Sequence, residues 1–247
     1  MALIENLNLS DRVTQELGRA IISGQYSNET GFPSEAKMCE DYGVSRTSIR
    51  EAVKMLGAKG LITSRPRKGI VIEPASRWNL YDTSVLKWML ESSPSLYVLR
   101  EFLQMRMAIE PQAAALAAQY ASDADIDKIE QALQAMASAG SRAGAEADNC
   151  LHEADVAFHT SILAASKNRF ILQLRDFVST ALNVSIQHTT PAKGNIKTIL
   201  EEHDKVYQAI RNRHPERAKS MTAYLIDEAI IFIDEEIARQ ESQTSGS

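Results

Sequence analysis

Apolar positions recur at helical spacing over most of the chain and at strand spacing in one short stretch. From Leu9 to Ile22 the spacing predicts a helix capped at Ser10 or Asp11 and stopped at Gly24. Gly31-Phe32-Pro33-Ser34 turns the chain, and Ser34 caps a short helix ending at Gly43. Ser45 caps a second helix, Arg46–Lys59, stopped by Gly60. Leu61-Ile62-Thr63-Ser64 and Ile70-Val71-Ile72 are β-prone runs around the basic turn Arg65–Gly69, the pattern of a hairpin. Pro74 to Asn79 reads as a linker. Beyond it the period is helical, with helices expected near 81–91, 95–120, 123–139, 146–166, 169–188, 196–212 and 215–240. Ser122 and Asp125 form a capping-box pair, Thr189–Asn195 is a loop, and Glu241–Ser247 is a frayed tail.

Short elements with turns followed by long helices describe a mostly α chain. A winged helix-turn-helix is expected over 1–74 and a linker with its helix over 75–94. An all-helical bundle follows over 95–240, and a flexible tail over 241–247. At 247 residues, two domains are the natural division. The 44% hydrophobic and 24% charged content is that of an ordinary folded protein, and no apolar run approaches the ~20 residues a membrane span needs. No secretory pattern opens the chain. Cys39 and Cys150 make neither a disulfide framework nor a zinc knuckle, so a soluble, cytoplasmic protein is expected.

Charge sharpens the division. Residues 1–77 carry 11 Lys and Arg against 9 Asp and Glu, a balance of +2, whereas 78–247 carry 16 against 23, a balance of −7. Within 44–70, Arg46, Arg50, Lys54, Lys59, Arg65, Arg67 and Lys68 face a single acid, Glu51. A basic island in an acidic chain suits a local nucleic-acid contact, because affinity comes from releasing counterions at phosphates. On the helix Arg46–Lys59, Ile49, Val53 and Leu56 form one stripe and Arg46, Arg50 and Lys54 another, so the helix can pack and still present cations. Its first turn, Ser45-Arg46-Thr47-Ser48, is the part that meets base edges and phosphates when such a helix enters a major groove. Lys68 and Gly69 at the hairpin tip suit the adjacent groove.

These residues carry a resemblance. The run from Pro33 to Ile62, followed by Arg67-Lys68-Gly69-Ile70-Val71-Ile72, resembles the DNA-binding domain of the GntR superfamily of bacterial transcription factors, most specifically at Val44–Ala52. The resemblance covers about 10–73 and implies operator contacts at Ser45, Arg46, Thr47, Ser48 and Arg50, with the wing at Lys68 and Gly69. Two positions depart from the family: Ala36 stands where an arginine is common, and of the wing's usual Gly-x-Gly only Gly69 is present. Both bear on operator sequence.

In the helical remainder, polar residues occupy positions where the period calls for apolar ones. Asp155 shares a face with Leu151, Phe158 and Ile162, and His159 follows one turn later. His203 lies within the seam Ile196, Ile199, Leu200, Val206, Tyr207 and Ile210. Arg106 lies among Leu99, Phe102, Ile109, Ala113 and Leu116, with Glu110 at i+4. Such groups are costly to bury unless paired or ligated. Asp155, His159 and His203 therefore suggest a metal set, and Arg106 an anion partner. Taken singly, each histidine reads first as a hydrogen-bonded core residue, and Arg106 with Glu110 as a plain ion pair. His152, His188 and His214 share no seam, and Cys150 reads as a packing residue.

Arg106–Pro111, Glu153–His159 and Glu202-His203 resemble the all-helical FCD ligand-binding domain of the FadR branch of GntR regulators, over about 95–240. The resemblance implies a carboxylate effector held by Arg106, Asp155, His159 and His203, either with a divalent ion, zinc or nickel, on Asp155, His159 and His203 or in a metal-free pocket that uses the same residues directly. The branch's fourth ligand belongs near Tyr224 or Leu225, yet no histidine follows His214. Arg77–Trp88 resembles the linker of members that control galactonate catabolism.

The expectation is a homodimeric repressor with no catalytic residues. It binds double-stranded operator DNA and is released by a sugar acid, D-galactonate or a related aldonate or hexuronate. Two other readings fit the same residues: a metal-responsive DNA-binding regulator, and a helical metallohydrolase fused to a DNA-binding domain. Against the second, no Gly-rich phosphate loop, nucleophile elbow or His-Glu-x-x-His occurs.

Overall fold

The computed structural model describes residues 8–65, 69–92, 95–142, 144–183 and 196–245. The chain divides into two units, Met1–Pro94 and Ser95–Ser247. In the first, α1 (Leu9–Ile22), α2 (Glu35–Tyr42) and α3 (Arg46–Ala58) precede an antiparallel hairpin, β1 (Ile62–Arg65) and β2 (Gly69–Ile72), and then α4 (Thr83–Ser92). The cap of α1 is Asn8, whose side chain accepts from the Asp11 amide, rather than Ser10 or Asp11. Ser34 and Ser45 cap α2 and α3 in the same way. Between them Gly43 takes φ 63°, a left-handed turn that a residue with a Cβ adopts only at a cost. The hairpin pairs Ile62 with Ile72 and Arg65 with Gly69, and Asn28 clamps both backbone groups of Ile72.

The core of this unit gathers Val13, Leu17 and Ile21 of α1, Met38, Ile49, Ala52 and Leu56, with Leu61, Ile62 and Ile72 of the hairpin. Ala52 is fully buried and Val53 only partly, so the inward stripe of α3 is Ile49-Ala52-Leu56, not Ile49-Val53-Leu56. The segment expected as linker adds to this core. Val85 and Trp88 of α4 are buried in it, and the Trp88 indole lies against Gly18. Asp82 caps α4 by accepting from the Ser84 and Val85 amides and also binds Lys59 Nζ at 2.8 Å.

The second unit is all helix among its described residues. Its elements are α5 (Leu96–Tyr120), α6 (Asp123–Gly140), α7 (Ala145–Ala165), α8 (Arg169–Gln173), a helical stretch α9 over 175–183, α10 (Ile196–Arg211) and α11 (Pro215–Ser245). α5 packs along α11, α6 against α7, and α10 on α11, α6 and α5. Fully buried Ala113, Ala114, Ala117 and Ala118 let helices approach α5 closely, and Phe158, Ile162, Val206 and Ile210 fill the space beside them. The Ser122–Asp125 capping box is present.

Two sequence expectations need correction. The helix over 169–188 is interrupted at Leu174, whose amide bonds back to Ile171 in a tightened turn. The frayed tail at Glu241–Ser247 is helical through Ser245, and Tyr97 of α5 donates to the Glu241 carboxylate. The Thr189–Asn195 loop lies outside the described residues. Among those described, no helix is long and apolar enough to cross a membrane.

A Cβ on Gly18 would come within 2.3 Å of the Trp88 ring, which is itself 1% exposed and cannot swing away. Overpacking of this kind costs ~1–3 kcal/mol. Gly18→Ala therefore lowers the denaturation midpoint of the first unit. Tryptophan fluorescence reads that unit selectively, because Trp78 and Trp88 are the only tryptophans. An unchanged midpoint would show that the α1–α4 contact is loose.

Candidate functional site

Two clusters of polar side chains carry chemistry, one in each unit. In the first, the N-terminal turn of α3 offers Ser45, Arg46 and Thr47 exposed and Ser48 half-buried. Ser45 Oγ accepts from the Ser48 amide at 3.2 Å, as an N-cap does. Arg46, Arg50 and Lys54 are exposed one turn apart on the same helix. Arg50 Nε pairs with Glu35 at 3.2 Å in a solvent-exposed contact, which a phosphate can displace at little cost. Gly69 is exposed at the end of β2, opposite Arg65. Lys68 lies outside the described residues, as does Arg67.

The structure divides the basic island. Lys59 points away to Asp82 in a largely buried pair, whereas Arg65 stays exposed 3.8 Å from Glu73, much as Arg50 stays exposed beside Glu35. The charge count alone did not separate Lys59 from the exposed cations.

In the second unit, three helices bring five ionisable side chains into one buried chain of contacts. Arg106 of α5 grips Glu110 one turn on, Nε to Oε1 at 2.5 Å and Nη2 to Oε2 at 3.1 Å. Glu110 Oε2 also lies 2.9 Å from Nδ1 of His159 on α7. The other nitrogen of His159, Nε2, is 3.3 Å from Asp155 Oδ1, and His203 Nε2 on α10 is 3.2 Å from that same oxygen. His203 Nδ1 sits 2.7 Å from the carbonyl of Ile199. Arg106 Nη2 lies 3.3 and 3.4 Å from the two nitrogens of His159, nearly equal distances that set it across the ring rather than in line with either lone pair. Phe158 closes one side, its ring centroid 5.0 Å from that of His203.

The acidities of Glu110, Asp155 and His159 follow from these contacts. Burial pushes Glu110 up, but the Arg106 charge and then His159 overcome it and hold its carboxyl down at about 2. Burial likewise raises Asp155, and the hydrogen bonds from His159 and His203 bring it well below the usual carboxylate range. For His159, burial and Arg106 favour the neutral ring, yet Glu110 and Asp155 prevail and its pKa is raised.

The donor set fits a divalent ion. One atom each from Asp155, His159 and His203 lies within 4.8 Å of the others. Ligands about 2.0–2.2 Å from a tetrahedral ion stand ~3.3 Å apart, close to the 3.2 and 3.3 Å from Asp155 to the two imidazoles. A carbonyl accepts only, so His203 Nδ1 carries a proton and its Nε2 is the nitrogen presented to Asp155. At the place where the branch's fourth ligand belongs, Leu225 is buried in the core and Tyr224 is half exposed. Three protein donors leave a position for water or a ligand oxygen.

Sequence register placed Asp155, His159 and His203 on inward faces of two helices, and the fold brings them together. The bond from Glu110 to His159 was missed, since it joins different helices; its only sequence signal was a carboxylate one turn from an inward arginine. His152 bonds Asn183 instead, His214 is exposed, and His188 lies outside the described residues.

Comparison with known proteins agrees with this architecture. Residues 9–72 match the sequence profile of the bacterial regulatory proteins of the gntR family, and residues 101–228 match that of the FCD domain. The chain is 31% identical over 221 residues to the galactonate operon transcriptional repressor of Escherichia coli K12, covering 89% of this chain and 94% of that protein. It is 34% identical over 203 residues to the HTH-type transcriptional regulator YieP of the same organism, covering 82% and 86%. A solved structure of Lar from Listeria monocytogenes superposes with a TM-score of 0.57 over 94% of this chain and 99% of that one, at 16% identity. That likeness concerns the fold.

The lowered pKa of Glu110 sets a pH window. Its carboxyl titrates near 4.5 when unfolded and at about 2 when folded. Its stabilising contribution is therefore complete above the unfolded value and lost as pH falls through the folded one. Urea unfolding of the chelator-treated chain, repeated from about pH 5 to about pH 2, should show stability falling steadily, with a shallower fall in Glu110→Gln. Identical slopes in the two chains would contradict the assignment.

Proposed function

The chain belongs to the gntR family of bacterial regulatory proteins and carries an FCD domain, and from that membership we propose that it is a homodimeric repressor released from its operator by a sugar acid. As a member it is a DNA-binding transcriptional regulator with an effector-binding domain, not an enzyme. Two copies of α3 read a pseudopalindromic operator, dimer symmetry setting the half-site spacing. Ser45, Arg46, Thr47, Ser48 and Arg50 make the groove contacts, with Lys68 and Gly69 on the wing. The counterions that Arg46 and Arg50 displace drive affinity.

The observation that carries the effector reading is the buried chain of ionisable side chains on α5, α7 and α10. Asp155, His159 and His203 hold a zinc- or nickel-class ion, which when bound supplies an electrophilic centre for the carboxylate and α-hydroxyl of a sugar acid. Arg106 adds positive charge on the same side. Its Nε and Nη2 are engaged by Glu110, so a ligand carboxylate meets its remaining nitrogen. The similarity to a galactonate operon repressor favours D-galactonate, or a related aldonate or hexuronate, as the effector. Such a ligand acts by binding the low-affinity state better than the operator-bound state; equal binding would shift nothing.

Thermal unfolding tests the effector. A ligand present at 100 times its dissociation constant adds about 2.7 kcal/mol. The chelator-treated chain is heated with millimolar D-galactonate, gluconate, galacturonate or lactate, then again after zinc is restored. Galactonate should give the largest upward shift, and zinc should enlarge it. No shift with any sugar acid in either condition contradicts the proposal, and a shift with zinc alone selects a metal-responsive regulator.

A further inference from the structure

We propose that Glu110 positions His159 for metal binding by accepting the proton on its Nδ1, so that Nε2 is the nitrogen offered to the ion; the inference rests on the metal reading above. A neutral imidazole has one donor and one acceptor nitrogen, and whatever the first nitrogen bonds to decides which one is left to ligate. His159 could present either face. Glu110 Oε2 lies 2.9 Å from Nδ1, and both carboxylate oxygens already accept from Arg106, so Glu110 faces His159 as an acceptor. Nδ1 therefore keeps its proton, and Nε2 is turned to Asp155.

His203 reaches the same state by a different route, its Nδ1 bonding the backbone carbonyl of Ile199. Both rings thus direct Nε2 at Asp155 Oδ1, one set by a carboxylate and the other by the main chain. Arg106 orients Glu110 in turn, through two of its nitrogens, and turns its face rather than a lone-pair contact to the His159 ring. An outer partner of this kind fixes ring orientation and raises ligand basicity, and its removal typically costs roughly ten- to a hundredfold in metal affinity.

The test measures zinc affinity by competition with a chromophoric chelator, in the full chain and in variants, together with nitrogen NMR of histidine-labelled protein. Glu110→Gln leaves one acceptor oxygen for three donors and should weaken zinc about tenfold or more. Should that variant fail to fold, Arg106→Met/Glu110→Gln and Arg106→Met/Glu110→Leu give the comparison without stranding a buried charge. The first keeps an acceptor for Nδ1 and should bind zinc about tenfold more tightly than the second, which has none. In the parent's zinc complex, both His159 and His203 should be ligated through Nε2 with Nδ1 protonated. Loss of Glu110 should disturb His159 and leave His203 as it was. Equal zinc affinity with and without Glu110, or ligation of His159 through Nδ1, overturns the role of Glu110 and leaves the metal reading standing. No zinc uptake by the parent overturns both.

Discussion

The Asp155 carboxylate, partly buried between two imidazoles, is the constraint around which the helical unit is organised. A buried charge is tolerated only when its neighbours answer it, and here contacts run unbroken from Arg106 through Glu110, His159 and Asp155 to His203. Removing one partner from such an arrangement leaves the next exposed to the full desolvation cost, ~3–5 kcal/mol. The network also sets register. Residues 106 and 110 must share a face of α5, 155 and 159 a face of α7, and 203 must enter from α10 at the same level. The surrounding core accommodates this. Fully buried alanines on α5 bring neighbouring helices close, while Phe158 and Ile162 seal the apolar side of α7.

The DNA-reading unit solves a different problem, keeping one face of α3 apolar and the other cationic. Ile49, Ala52 and Leu56 secure it from within, and Ser45 holds its first turn open to ligands by bonding the Ser48 amide. Its far end is anchored by Lys59, which binds Asp82 at the start of α4, while Trp88 reaches down to Gly18. A single acid, Asp82, thus caps one helix and fastens another. The consequence is a recognition helix fixed at its C-terminal end, with its N-terminal turn exposed.

How far this was legible in the sequence depends on the range of the interactions. Local signals read well. The Ser122–Asp125 capping box, the glycine stop at Gly43 and the hairpin around a basic turn are set by neighbours within a few residues, and all are present. Inward polar residues were also visible, because 3.6-residue periodicity shows which face Asp155, His159, His203 and Arg106 occupy. Long-range pairings were not. Glu110 reaches His159 from another helix, and Lys59 is paired with Asp82 at the start of α4. The break at Leu174 interrupts a run whose apolar spacing continues unbroken, since hydrophobic period carries no record of a tightened turn. Likewise the polar end of α11 looked like a tail because few of its residues are apolar, yet Tyr97 ties Glu241 down.

The proposed repressor function requires that a sugar acid entering this network weaken the hold on DNA. Fluorescence anisotropy of a labelled operator fragment, titrated with the zinc-loaded chain in the absence and presence of D-galactonate at fixed salt, measures it directly. The account predicts tight binding without galactonate and an apparent dissociation constant at least about tenfold weaker with it, equivalent to ~1.4 kcal/mol of differential binding between the two states. Operator affinity indifferent to galactonate, gluconate and galacturonate alike would contradict it.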